Sequence, residues 1–111
     1  MLRHVPDTAG ALAEAQERGA QVYLVGPVTS KAEALDAIGA ALRCPAWYGR
    51  NLDALYDCLS DLSWLPAGEH VLIWAGHRQL GAADPDGYRA ILGVLEDAST
   101  ANTLSVLLAG A

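Results

Sequence analysis

The chain has 111 residues, room for one domain with one modest core. An apolar fraction of 52%, with three tryptophans, argues against disorder. The net charge of −6 argues against a sequence-independent grip on nucleic acid, which needs Lys and Arg for the phosphates, and favours rapid encounter with a basic partner.

The opening MLRHVPDTAG has no apolar centre of the kind a secretory signal carries. It reads as a tail holding His4, followed by a helix over Thr8–Arg18 with Gly19 as its stop. Residues 1–20 are thus expected as an N-terminal helical extension of a single domain. Gln21–Val25, QVYLV, is a strand broken by Gly26-Pro27. Ser30 with Glu33 makes a capping-box pattern before Ala34, Leu35, Ile38 and Leu42, so a helix is expected from about Lys31 to Leu42, ended by Cys44-Pro45. A further helix runs over Leu52–Asp61 with Asn51 as N-cap. His70–Trp74, HVLIW, has the continuous apolar run of a strand covered on both faces. Gly76–Ala83 is a loop or short helix. Asp84 and Pro85 then start a helix to about Ala101, and Leu104–Leu108 is the last strand. Strands separated by helices imply crossovers and a parallel sheet, an α/β fold of three strands. No run approaches 18 apolar residues, so no membrane span is expected.

Few residues support catalysis or metal binding. His4, His70 and His77 lie at no recognised ligand spacing and are expected in structural or solvent roles. Ser60 and Ser63 lie near acids, but outside any nucleophile motif. Cys44 and Cys58 are 14 apart, a spacing compatible with a disulfide and matching no metal motif. Free thiols in a reducing cytoplasm are the expectation, with Cys58 near the core side of its helix. No cofactor is expected.

The helix after Asn51 is different. Leu52, Leu55, Leu59 and Leu62 fall on one stripe, while Asp53, Asp57 and Asp61 recur every fourth residue on the opposite one, with no basic residue among them. Asp is a poor helix former, and like charges four apart repel by about a few tenths of a kcal/mol per pair. Asp61 also meets the negative end of the macrodipole. Folding alone favours Lys or Ala at some of these sites. A solvated acidic face is the plain alternative. Against it stand Trp47 and Tyr48 in the Gly-containing loop before the helix and Tyr56 on the border of the two stripes. Aromatics beside a row of carboxylates suit docking on something cationic. Of the adjacent pair, Tyr48 is expected inward and Trp47 outward. A divalent-metal site is disfavoured, because one helix face holds carboxylates in a line roughly 6 Å apart rather than converging.

The run Pro45, Trp47-Tyr48-Gly49-Arg50-Asn51-Leu52-Asp53-Ala54-Leu55-Tyr56-Asp57-Cys58-Leu59 resembles the signature of the barstar family, intracellular protein inhibitors of small secreted ribonucleases. The resemblance extends more loosely from about Val22 to Leu108. It implies a barstar-like fold, a three-stranded parallel sheet in order 1-2-3 packed with helices. It implies no enzymatic activity, a cytoplasmic chain that is a monomer when free, and a one-to-one complex with a basic, secreted, guanyl-specific ribonuclease. Asp57 would enter the cleft where a substrate phosphate sits, Asp53 would meet the basic rim, and Trp47 would cover the catalytic imidazole with Tyr56 beside it; Asp61 is a candidate contact nearer the rim by its place in the acidic row. Gly49 and Asn51 would shape the loop. Asp97, by itself an ordinary surface acid, aligns with a carboxylate that assists from the helix before the last strand. Arg50, Asp61 and Leu62 depart from the pattern of a well-known member. An immunity protein against another nuclease toxin, perhaps a deoxyribonuclease, and a small carboxylate-dependent enzyme are the alternatives.

Overall fold

The computed structural model of the protein describes residues 2–45, 48–101 and 104–110. In chain order the elements are β1 (Leu2–Val5), α1 (Thr8–Glu17), β2 (Gln21–Val25), α2 (Lys31–Ala41), α3 (Leu52–Asp61), β3 (His70–Ala75), α4 (His77–Ala83), α5 (Pro85–Ala101) and β4 (Leu104–Ala109). The strands make one parallel sheet in the order β1-β4-β3-β2. The three expected strands are neighbours in chain order, but the expected three-stranded sheet is corrected to four. The supposed tail around His4 is strand β1, with Leu2 opposite Val106 and Val5 opposite Ala109. Local pattern gives little sign of this strand. It is four residues long, and Arg3 and His4 are exposed. What forms it is the open edge of β4, whose unpaired backbone groups need a partner.

The molecule has three layers. Alternation along the strands sends Tyr23, Val25, Leu72, Trp74, Leu104, Val106 and Leu108 into the larger core beneath α2, α3, α4 and α5. Val71, Ile73, Leu107 and Ala109 face the other way, against Ala11 and Ala15 of α1. β3 is therefore buried on both faces, as its unbroken apolar run requires. Helix starts follow local chemistry. Asp7 accepts from the Gly10 amide at 2.6 Å, and Ser30 from the Glu33 amide at 3.1 Å. The Glu33 carboxylate reaches back to the Thr29 amide and hydroxyl, at 3.2 and 2.7 Å, which holds its pKa below the ordinary value.

Two of the three histidines pack within the fold. His70 Nδ1 meets the Tyr23 hydroxyl at 3.0 Å. His77 is buried, stacked on Tyr88, and its Nδ1 meets that hydroxyl at 2.6 Å. Burial lowers the His77 pKa, with the nearby His4 and Arg78 adding to the effect.

Candidate functional site

Helix α3 lies on α5 and, more lightly, on α2, outside the sheet. Its leucine stripe decides which side faces in. Leu55, Cys58 and Leu59 are fully buried, joining Leu62, Ile91, Leu95 and Ala98 in the larger core. The Asn51 side chain accepts from the Ala54 amide at 2.8 Å and sets the helix start. At the other end the chain reverses at Leu62, whose φ is 51°. A left-handed leucine costs roughly 1–2 kcal/mol, and the burial of its side chain offsets this. Leu62 is thus a core residue at the helix stop.

With one stripe committed inward, Asp53, Asp57 and Asp61 are all exposed, and so is Tyr56 on the border, at 39%. Among the described residues, no ion pair engages any of the three aspartates. Asp97 is exposed on α5, the helix against which α3 packs. The described structure therefore presents Asp53, Tyr56, Asp57 and Asp61 on one helix face and Asp97 on the helix beside it. Trp47 lies outside the described residues. A fixed row of anions with an exposed aromatic edge is chemically suited to a cationic surface. Among the described residues, no group of three or more His, Cys, Asp or Glu is gathered to hold a metal ion.

The loop before α3 is held from inside. Tyr48 turns inward, as expected. Its hydroxyl donates to the Leu35 carbonyl at 2.8 Å, and burial raises its pKa to about 12, with Asp36 adding to the rise. The ring presses its edge against Gly39 of α2, where an added Cβ would come within 2.5 Å of Tyr48 Cε2. Gly39 lies in the last turn of α2, and its missing side chain permits a close approach that sequence reasoning did not use. Gly49 is exposed, and Arg50, with φ of 55°, pairs with Asp36 at 3.2 Å. Both members of that pair are largely solvated, so it contributes under about 1 kcal/mol.

One expectation is overturned here. Cys44 and Cys58 form a disulfide rather than remaining thiols. Cys58 was legible as core-facing. Cys44 was not, because its position depends on a left-handed turn at Arg43, φ 52°, just after α2. That turn leaves the two Cα atoms 6.2 Å apart, within bridging range. The support that free thiols lent to a reducing compartment falls with this correction.

The family model described as Barstar (barnase inhibitor) matches residues 20–107. The chain belongs to the barstar family. The match takes in β2, the whole acidic helix with its loop, β3, α5 and most of β4. It begins after β1 and α1, so β1 lies outside the matched part of the chain. No curated protein matches the chain. Within the barstar family, the coarse expectation for this chain is a ribonuclease inhibitor.

Proposed function

We propose that this protein inhibits a secreted, basic, guanyl-specific microbial ribonuclease by occupying its active-site cleft with helix α3, one inhibitor to one enzyme. One observation carries the reading beyond family membership. The aspartate row Asp53, Asp57 and Asp61 is exposed and, among the described residues, free of neutralising ion pairs. A ribonuclease cleft is built to receive the phosphates of RNA, and carboxylates at fixed spacing are a non-cleavable substitute. Asp57 takes the position of a substrate phosphate, Asp53 and Asp61 meet the basic rim, and Tyr56 packs beside the catalytic imidazole, which Trp47 covers. Asp97 assists from α5, and Gly49 and Asn51 shape the approach. The helix is ordered before the encounter, which lowers the entropy lost on association. The protein is free as a monomer, acts in the cytoplasm of the producing cell, and binds without turnover.

Titration of the protein into assays of guanyl-specific ribonucleases tests this reading. Stoichiometric loss of RNA cleavage is expected with at least one enzyme, including those of the source organism. No inhibition of any of them at micromolar protein would overturn it.

A further inference from the structure

We propose that the Cys44–Cys58 bond is a redox-responsive brace on the inhibitory surface, opened by a dithiol reductant, so that the strength of inhibition follows the redox state of the surroundings. The proposal rests on the inhibitor reading given above. Its first support is position. Cys58 sits in the middle of α3, next to Asp57, and Cys44 lies just beyond the end of α2. α3 packs broadly on α5 but only lightly on α2, so the covalent bond adds a tie between α3 and the segment just after α2. The segment between the two cysteines includes Tyr48, Gly49, Arg50 and Asn51, which lead into the acidic face. Its other anchors include the Tyr48–Leu35 hydrogen bond, the packing of the Tyr48 ring on Gly39, the exposed Arg50–Asp36 pair and the Asn51 cap.

The second support is access. Cys58 is fully buried, whereas Cys44 is half-buried and lines an open cleft of about 510 Å³ with Asp36, Gly39, Pro45, Tyr48 and Arg50. The approach open to a dithiol reductant is therefore from the Cys44 side. The reductant's thiolate attacks Cys44 Sγ, forming a mixed disulfide and releasing Cys58 as a thiolate that takes up a proton. The reductant's second thiol then displaces Cys44, which leaves as a thiol. The protein gains two electrons and two protons, and the reductant ends as a disulfide. Afterwards the loop before α3 is less firmly held and must be ordered on binding rather than before it, while α3 stays seated through its buried leucines, and the complex weakens.

The experiment measures the inhibition constant against the same ribonuclease with the protein oxidised, reduced by a dithiol, and as Cys44→Ser. Alongside, it measures amide exchange at Tyr48, Gly49, Arg50 and Asn51. Reduction should raise the inhibition constant about tenfold, equivalent to about 1.4 kcal/mol. Cys44→Ser should show the weaker value with or without reductant. The loop amides should exchange faster on reduction while those of β3 do not. An inhibition constant unchanged by reduction would overturn the proposal and leave the inhibitor reading standing. An oxidised protein that inhibits no ribonuclease would sink the inhibitor reading and the proposal built on it. Loop exchange indifferent to reduction would refute the brace itself, whatever the ribonuclease result.

Discussion

Two helices of the same length do opposite jobs in this protein. α1 and α3 are each ten residues long, and each starts with a side chain accepting from a backbone amide three residues on. α1 lies directly on the sheet and fully buries only Ala11 and Ala15, small residues that let it approach closely. α3 packs mainly on α5 and buries Leu55, Cys58 and Leu59. The acids of α1 are mixed with other polar residues, and Arg18 just past its end pairs with Glu69 at 3.0 Å. Those of α3 form one row. α1 carries two scattered acids, whereas α3 gathers three like charges on one face, where they repel one another and leave a surface suited to a cationic partner.

The largest expected effect separates the two helices directly. Asp57→Ala should weaken inhibition by about 2–5 kcal/mol, mostly through faster dissociation, because cationic groups of the enzyme are left buried and unpaired. Its melting temperature should hold or rise slightly, since a poor helix former and two like-charge neighbours are relieved. Glu14→Ala, an exposed acid on α1, should leave the inhibition constant unchanged. Equal responses of the two variants would erase the distinction. From the other side, Ala15→Leu should cost roughly 1–3 kcal/mol of stability by overpacking the seam between α1 and the sheet. Denaturant unfolding measures that cost, and the inhibition constant of the folded fraction should stay put.

Smaller effects sharpen the comparison. Asn51→Ala removes a helix cap and should cost about 1 kcal/mol in unfolding experiments. Asp61→Ala, at the end of the row, should weaken inhibition by less than about 1 kcal/mol. The gentlest probe is pH. Burial disfavours the charged form of His77 in the folded protein, so its folded pKa lies below the ordinary 6.5. As pH falls through that value the unfolded chain takes up the proton first, and stability declines until the folded pKa is passed. Melting curves between about pH 7.5 and pH 5.5 should show this contribution, and an NMR titration of the His77 ring should give a midpoint below that of a free imidazole.

Much of the architecture was legible because its signals are local. The capping residues Ser30 and Asn51, the unbroken run at β3 and the leucine stripe of α3 each state their structure within a few residues. The acidic row was legible for the same reason, and the resemblance around Trp47–Leu59 supplied its meaning. What the sequence concealed depends on distant partners. β1 exists because β4 has an open side, not because Arg3 and His4 prefer strands. The Cys44–Cys58 bond depends on a backbone reversal at Arg43 that gives no warning, since arginine has no special liking for positive φ. The tight seat of Tyr48 was half visible. An aromatic expected inward was paired with an unremarked glycine in α2, and only the fold joins them.

The pairing of β1 with β4 also bears on solubility. β4, Leu104–Ala109, is almost wholly apolar and almost wholly buried. Its outer side is closed by a short strand that sets Arg3 and His4 at the rim and is locked at its far end by the Gly110 amide donating to the Val5 carbonyl at 3.1 Å. A shortened chain beginning at Ala20, where the family match starts, would lose that cover. It would keep every acidic residue of α3 and yet offer LSVLLA as an uncapped strand, without proline or charge, to any other copy in solution. The first few residues are therefore a gatekeeper against self-assembly, covering the edge of β4 and leaving the acidic face of α3 untouched.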